Sequence, residues 1–189
     1  FENLSFEGVT VAVHSDINDV DQTVYVPEIK TTLVSKDTDS HIAPCDKEIT
    51  LIDTVTYSNL VVGKTYVMYG TLMNKDTNDV VKDSEGNPIT AGITFVATTS
   101  NGSVEVKFTV NGELLKGKTI VVFEDVYYED VLVGIHADIN DESQTIYFPE
   151  ITTAASVSGK STFEPKDEIE LTDIITYKIS TGFEALWGY

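Results

Sequence analysis

One segment of roughly 120 residues recurs within the chain, and this limits the fold more than any other feature. The windows that begin at Phe1 and Phe123 agree at 17 of 31 positions. Glu2 and Glu124, His14 and His136, Gln22 and Gln144, and Thr31 and Thr153 each stand 122 apart (124 − 2, 136 − 14, 144 − 22, 153 − 31), and Asp53 and Asp173 stand 120 apart (173 − 53). Such a period is too long for a solenoid coil and fits a row of separate domains. The 189 residues then divide into the tail of one repeat at 1–28, a complete repeat at 29–151 and the head of another at 152–180. Residues 181–189, TGFEALWGY, match nothing in the complete repeat and stay unassigned.

Within the complete repeat the apolar residues run with a period of two, which is the strand signature. Strands are expected near 29–35, 47–57, 64–74, 89–98, 103–111, 118–127, 131–137 and 144–150. The segments SEGNP at 84–88, TSNG at 99–102 and VNGE at 110–113 read as turns. No stretch has helical periodicity. Seven or eight short strands in such a length predict an all-β fold, an antiparallel β-sandwich of immunoglobulin type. The paired Cys and buried Trp of antibody domains are missing, so a different Ig-like family is implied.

The same alternation assigns each side chain to a face, and several polar groups fall on apolar faces. Asp53 shares its face with Ile49, Leu51, Val55 and Tyr57, and the head repeats this as Ile169, Leu171, Asp173, Ile175 and Tyr177. Glu124 lines up with Ile120 and Val122, Gln144 with Ile146 and Phe148, and Thr31 with Ile29 and Leu33. A buried carboxylate is costly unless paired, so two close together share a proton. An inward Thr, Gln or His is, taken singly, most often a satisfied core group. These recur together at matched offsets, which points to a common task.

The composition excludes several functions. The formal net charge is −19 and all 12 basic residues are Lys. Phosphate and anionic-membrane partners need basic contacts, so nucleic acid and membrane are not expected partners. Cys45 is the one cysteine, which rules out an intrachain disulfide. No GxSxG, phosphate loop or metal-ligand cluster is visible, so neither a turnover enzyme nor a metal or cofactor is expected. The acidic DIND segment departs from the EF-hand spacing at Val20 and Glu142.

Taken together, PEIKTTLVSKD, ITLIDTVTYSNLVVGKTYVMYGTLMNK, GKTIVVFEDVYY and HADINDESQTIYFPEI resemble the Thr–Gln ester-bond domain, or VaFE repeat, of Gram-positive surface adhesins. VVFE at 121–124 is the naming motif in slightly altered form, and Cys45 departs from the pattern. The resemblance spans 27–151 and runs into both partial repeats. It implies a shaft domain that links itself in a single turnover: a Thr hydroxyl attacks a Gln carboxamide, ammonia leaves and an ester remains. Position by position, Thr31 is the nucleophile, Gln144 the acyl donor, His136 the base or proton shuttle, and Asp53 and Glu124 the acidic pair. Thr31 is preferred to Thr32 because it faces Ile29 and Leu33 and recurs as Thr153, where Thr32 gives way to Ala154.

The resemblance also implies an extracellular, cell-wall-anchored protein whose host ligand is not held by this module. The tail supplies Glu2, His14 and Gln22, and the head supplies Thr153 and Asp173. One expectation is a second site split between neighbouring copies, with head-to-tail self-association and an intermolecular ester; the other is a truncated tandem array whose two end pieces stay incomplete. The competing expectation is a carbohydrate- or protein-binding sandwich, calcium-stabilised and without a cross-link.

Overall fold

The computed structural model describes residues 1–162, 164 and 168–178; the 181–189 segment with Trp187 lies outside them. Twelve strands follow one another as β1 (Glu2–Phe6), β2 (Val9–His14), β3 (Glu28–Ser35), β4 (Glu48–Ser58), β5 (Thr65–Asn74), β6 (Thr90–Val96), β7 (Gly102–Asn111), β8 (Thr119–Tyr128), β9 (Val131–His136), β10 (Thr145–Tyr147), β11 (Glu150–Val157) and β12 (Leu171–Lys178). Short 3-10 turns stand at Val20–Gln22, Gly112–Leu115 and Glu142–Gln144.

The middle of the chain is a sandwich of two antiparallel sheets, β3-β4-β7 and β10-β8-β5-β6, with β9 also pairing with β8. Their inner faces are the apolar alternations of the sequence. Ile29 and Leu33 on β3, Leu51 and Val55 on β4, Met68 and Leu72 on β5, Val106 and Phe108 on β7, and Ile120, Val122 and Val126 on β8 form one buried cluster. Each such side chain contributes about 1.5–3 kcal/mol relative to exposure. Gly70 on β5 pairs with Glu124 on β8. A Cβ added at Gly70 would meet Phe108 Cζ at 2.5 Å, so the absent side chain is what lets that ring lie there. The expected SEGNP turn closes on Asp83, whose carboxylate accepts the Glu85 and Asn87 N–H groups, while Gly86 takes φ +89°.

The last strand differs from the expectation. Within the expected 144–150 strand Thr145–Tyr147 form β10, Glu150 already opens β11, and Gln144 ends the turn before β10 rather than lying in it. Asp141 caps that turn through its side chain, which stops the strand from starting earlier. β10 is nevertheless held on both edges. It pairs with β8 through Thr145–Val121 and Ile146–Ile120. On its other side Tyr147 N–H donates to His41 O at 2.8 Å and Ala43 N–H to Tyr147 O at 3.0 Å, with Ile42 and Tyr147 bridged in parallel. The Cys45 thiol, pushed up by burial, donates to Pro149 O at 3.0 Å.

β3 is the edge of its sheet and lies against β9, the Glu142–Gln144 turn and β10 without a ladder to any of them. The first and last strands of the repeat thus meet where the sandwich is open. On either side stand two-stranded hairpins, β1–β2 and β11–β12, whose side chains are almost all exposed.

Candidate functional site at the open edge

Four polar side chains from four segments converge inside the sandwich. Thr31 is 5% exposed while Thr32 is exposed, so the alternation of β3 turns Thr31 inward. Asp53, Glu124 and Gln144 are wholly buried. Asp53 arrives between Leu51 and Val55 on β4, Glu124 on β8, and Gln144 at the end of the 3-10 turn. Gln144 Nε2 donates to Glu124 Oε2 at 2.6 Å.

The rest of the cluster is short of partners. Thr31 Oγ1, both Asp53 oxygens, Glu124 Oε1 and Gln144 Oε1 are buried with no hydrogen bond. An orphan of this kind costs about 1–3 kcal/mol unless a carboxyl proton serves it, and so many gathered in one place mark a site kept for something other than stability. Glu124 and Thr31 lie close enough to Asp53 to influence its titration, yet no full hydrogen bond is closed to either. Two carboxyls bond only when one carries a proton. Burial drives Glu124 far above the usual carboxylate range, and the charge of Asp53 drives it further. Burial also raises Asp53, to about 6, with Glu124, Thr31 and His136 pulling back. The pair therefore holds a proton at neutral pH.

His136 pairs with Glu124 across the β8–β9 ladder, which puts both on one face. It is half-buried, and its Nε2 meets Asp141 Oδ2 at 2.8 Å. Asp141 is held below the ordinary carboxylate range: burial raises it, but the Ser143 hydroxyl, the Ser143 N–H and His136 together outweigh that. Asp141 and Ser143 escape a reading based on faces, because both lie in a turn. Asp141 had a signal all the same. It stands five residues after His136 and recurs as Asp19, five after His14.

The second set is arranged as two halves. Glu2 pairs with His14 across β1–β2, and His14 Nε2 meets Asp19 Oδ2 at 2.7 Å. On the other hairpin Thr153 pairs with Ile175 and Ala155 with Asp173, just as Thr31 pairs with Val55 and Leu33 with Asp53. Glu2, His14, Gln22, Thr153 and Asp173 are all exposed, and the two halves stand in separate sheets. Among the described residues no group of three or more His, Cys, Asp or Glu is placed to hold a metal ion. None of the described helices is long and apolar enough to cross a membrane.

The open edge of the β-sandwich thus buries a hydroxyl and a carboxamide around a proton-holding carboxyl pair. The family model for the T-Q ester bond containing domain matches residues 1–26 and 27–148, and the chain belongs to that family. Two crystal forms of a bacterial adhesin from Mobiluncus mulieris, which contains intramolecular disulfide, isopeptide and ester bond cross-links, share the fold. One is 17% identical at a TM-score of 0.55 over 79% of this chain and 76% of that one. The other is 16% identical at a TM-score of 0.55 over 81% and 76%. No curated protein matches the chain in sequence.

Proposed function

We propose that residues 27–148 form a shaft module of a cell-surface adhesin that welds its own open edge with an ester between Thr31 Oγ1 and the Gln144 side chain. The observation that carries this reading is the buried, partner-poor set Thr31, Asp53, Glu124 and Gln144, with Gln144 pinned on Glu124 at 2.6 Å. Thr31 Oγ1 attacks the carboxamide carbon, the C–N bond breaks, and ammonia departs carrying the hydroxyl proton. Asp53 is the near acceptor for that proton. The protonated Glu124 stands at the nitrogen that must be protonated to leave. His136, opposite Glu124 and partly open to solvent, exchanges protons with the pair. Folding supplies the approach, and well-oriented groups within one molecule gain about 7–11 kcal/mol in this way. Burial then keeps water from the ester. The reaction runs once, so the domain is no turnover enzyme.

The placement suits a load-bearing role. Pulling on the ends of the repeat loads β3 and β10. With the ester in place the force passes through residues 28–31, the bond and residues 144–148, and leaves the rest of the sandwich out. The bond would close a loop of 113 residues (144 − 31), worth about 4–5 kcal/mol by analogy with disulfides. Such a module suits the outside of a Gram-positive cell wall, in a tandem array of like repeats.

The split set is read the same way. The exposed apolar residues Leu4 and Val11 on one hairpin and Ile151, Leu171 and Ile175 on the other match residues that the complete repeat buries or packs on its core, and a neighbouring repeat would supply the complementary half. Joined, they bring Gln22 of one copy to Thr153 of another, giving a head-to-tail ester, although neither supplies counterparts of β5–β7. Intact mass tests the first bond, as the linked chain is lighter by one ammonia; an unchanged mass overturns the reading. Denaturing electrophoresis tests the second, where a purely monomeric band rules the intermolecular ester out.

A further inference from the structure

We infer that Ser143 is a positioning residue for cross-linking, one that holds the acyl-donor turn against the strand of the nucleophile. This rests on the ester reading above. Ser143 immediately precedes Gln144, and its Oγ lies 3.1 Å from the backbone oxygen of Thr31 and 2.6 Å from Asp141 Oδ1. One hydroxyl thus bridges the strand that carries the attacking group and the carboxylate that orients His136. No ladder joins β3 to this turn, so their separation is set by packing and by such side-chain bridges. Asp141 Oδ1 already accepts the Ser143 N–H at 2.8 Å, which lets the hydroxyl proton be shared with the Thr31 carbonyl.

The repeat itself supplies an independent comparison. The residue at the matching place in the first copy is Asp21 (143 − 122), in an otherwise closely similar segment. Asp21 N–H still donates to Asp19 Oδ1 at 2.9 Å, so the turn forms without the hydroxyl. A carboxylate cannot donate to a carbonyl. The hydroxyl is therefore not needed to build the turn, and its place beside Thr31 O is where it acts.

The test follows bond formation in the full chain. Unlinked protein is taken from inclusion bodies in denaturant and refolded by dilution, and intact mass is read against time. Ser143→Ala should slow linking about tenfold, the fold-change that the loss of one net hydrogen bond allows. Ser143→Thr should restore the rate, and Ser143→Asp should slow it at least as much as Ser143→Ala. The melting temperature of Ser143→Ala is measured in a Thr31→Val background, where no ester can form, and should move by only a few degrees. Linking at the wild-type rate in Ser143→Ala overturns the proposal, as does a slowing that Ser143→Thr does not relieve. If wild-type mass never falls, the ester reading fails instead, and the two failures are told apart.

Discussion

His14–Gln22 and His136–Gln144 are nearly the same peptide in two settings. Both copies fold into a 3-10 turn capped by an Asp side chain, and in both the His Nε2 meets that same Asp, at 2.7 and 2.8 Å. There the likeness stops. Gln144 is wholly buried on Glu124, whereas Gln22 is exposed. Local sequence is enough to build the turn and orient the His. It is not enough to make a reactive site, because the low dielectric and the shared proton come from β3, β4 and β8. The first copy is a part without its housing.

The largest way to break this contrast is to remove the reacting groups. Thr31→Ala or Gln144→Ala should leave the full calculated mass and lower stability by about 4–5 kcal/mol, or roughly 10–20 °C in Tm. Gln22→Ala should change neither the single-ammonia mass loss of the monomeric chain nor the melting of the sandwich, and should remove only the head-to-tail product. Mass spectrometry and calorimetry of the three variants check it. If Gln22→Ala abolishes the mass loss, the housing is not what decides reactivity.

A second contrast is one of titration. In Thr31→Val no ester hides the carboxyl pair. Asp53 and Glu124 both titrate above their ordinary values when folded, so the native state holds protons that the unfolded chain has released. That stabilisation is fully present below about pH 4 and is lost as pH rises, through about 6 for Asp53 and further up for Glu124. Stability should fall by roughly 4–5 kcal/mol between about pH 5 and pH 8, most of it from Glu124. Asp141 and Glu142 act in the opposite sense, but they titrate below the ordinary range, outside this window. Adding Glu124→Gln should flatten the slope, whereas Glu2→Gln on the exposed hairpin should not. An unchanged slope in the Glu124→Gln double variant would show that the pair shares no proton.

The two copies also explain what could be read in the sequence and what could not. The strands were legible because their inward residues alternate without interruption: Ile49, Leu51, Val55 and Tyr57 predict β4, and they also expose Asp53 as a polar group facing the core. Thr31 over Thr32 followed from the same rule. Gln144 was placed on the correct face but in the wrong element, since a capped 3-10 turn ahead of a three-residue strand leaves no period-two trace. Ser143 was hidden for a different reason. Its work is done across 112 residues (143 − 31), on a backbone carbonyl. A carbonyl is present at every position and so leaves no mark in the sequence.

The smallest expected effect isolates the turn. Asp141→Asn keeps the side-chain oxygen that caps the turn and removes the charge opposite His136. The pair is partly open to solvent, so screening limits its worth, and in the Thr31→Val background stability should fall by less than about 1 kcal/mol. In the wild-type background linking should slow by more than so small a loss accounts for, because His136 is no longer held by a charge beside Glu124. Asp19→Asn makes the equivalent change in the exposed copy and should alter neither the rate of the intramolecular mass loss nor the melting of the sandwich. Equal slowing by the two variants would mean that the exposed turn reaches the buried site, and the separation between part and housing would have to be given up.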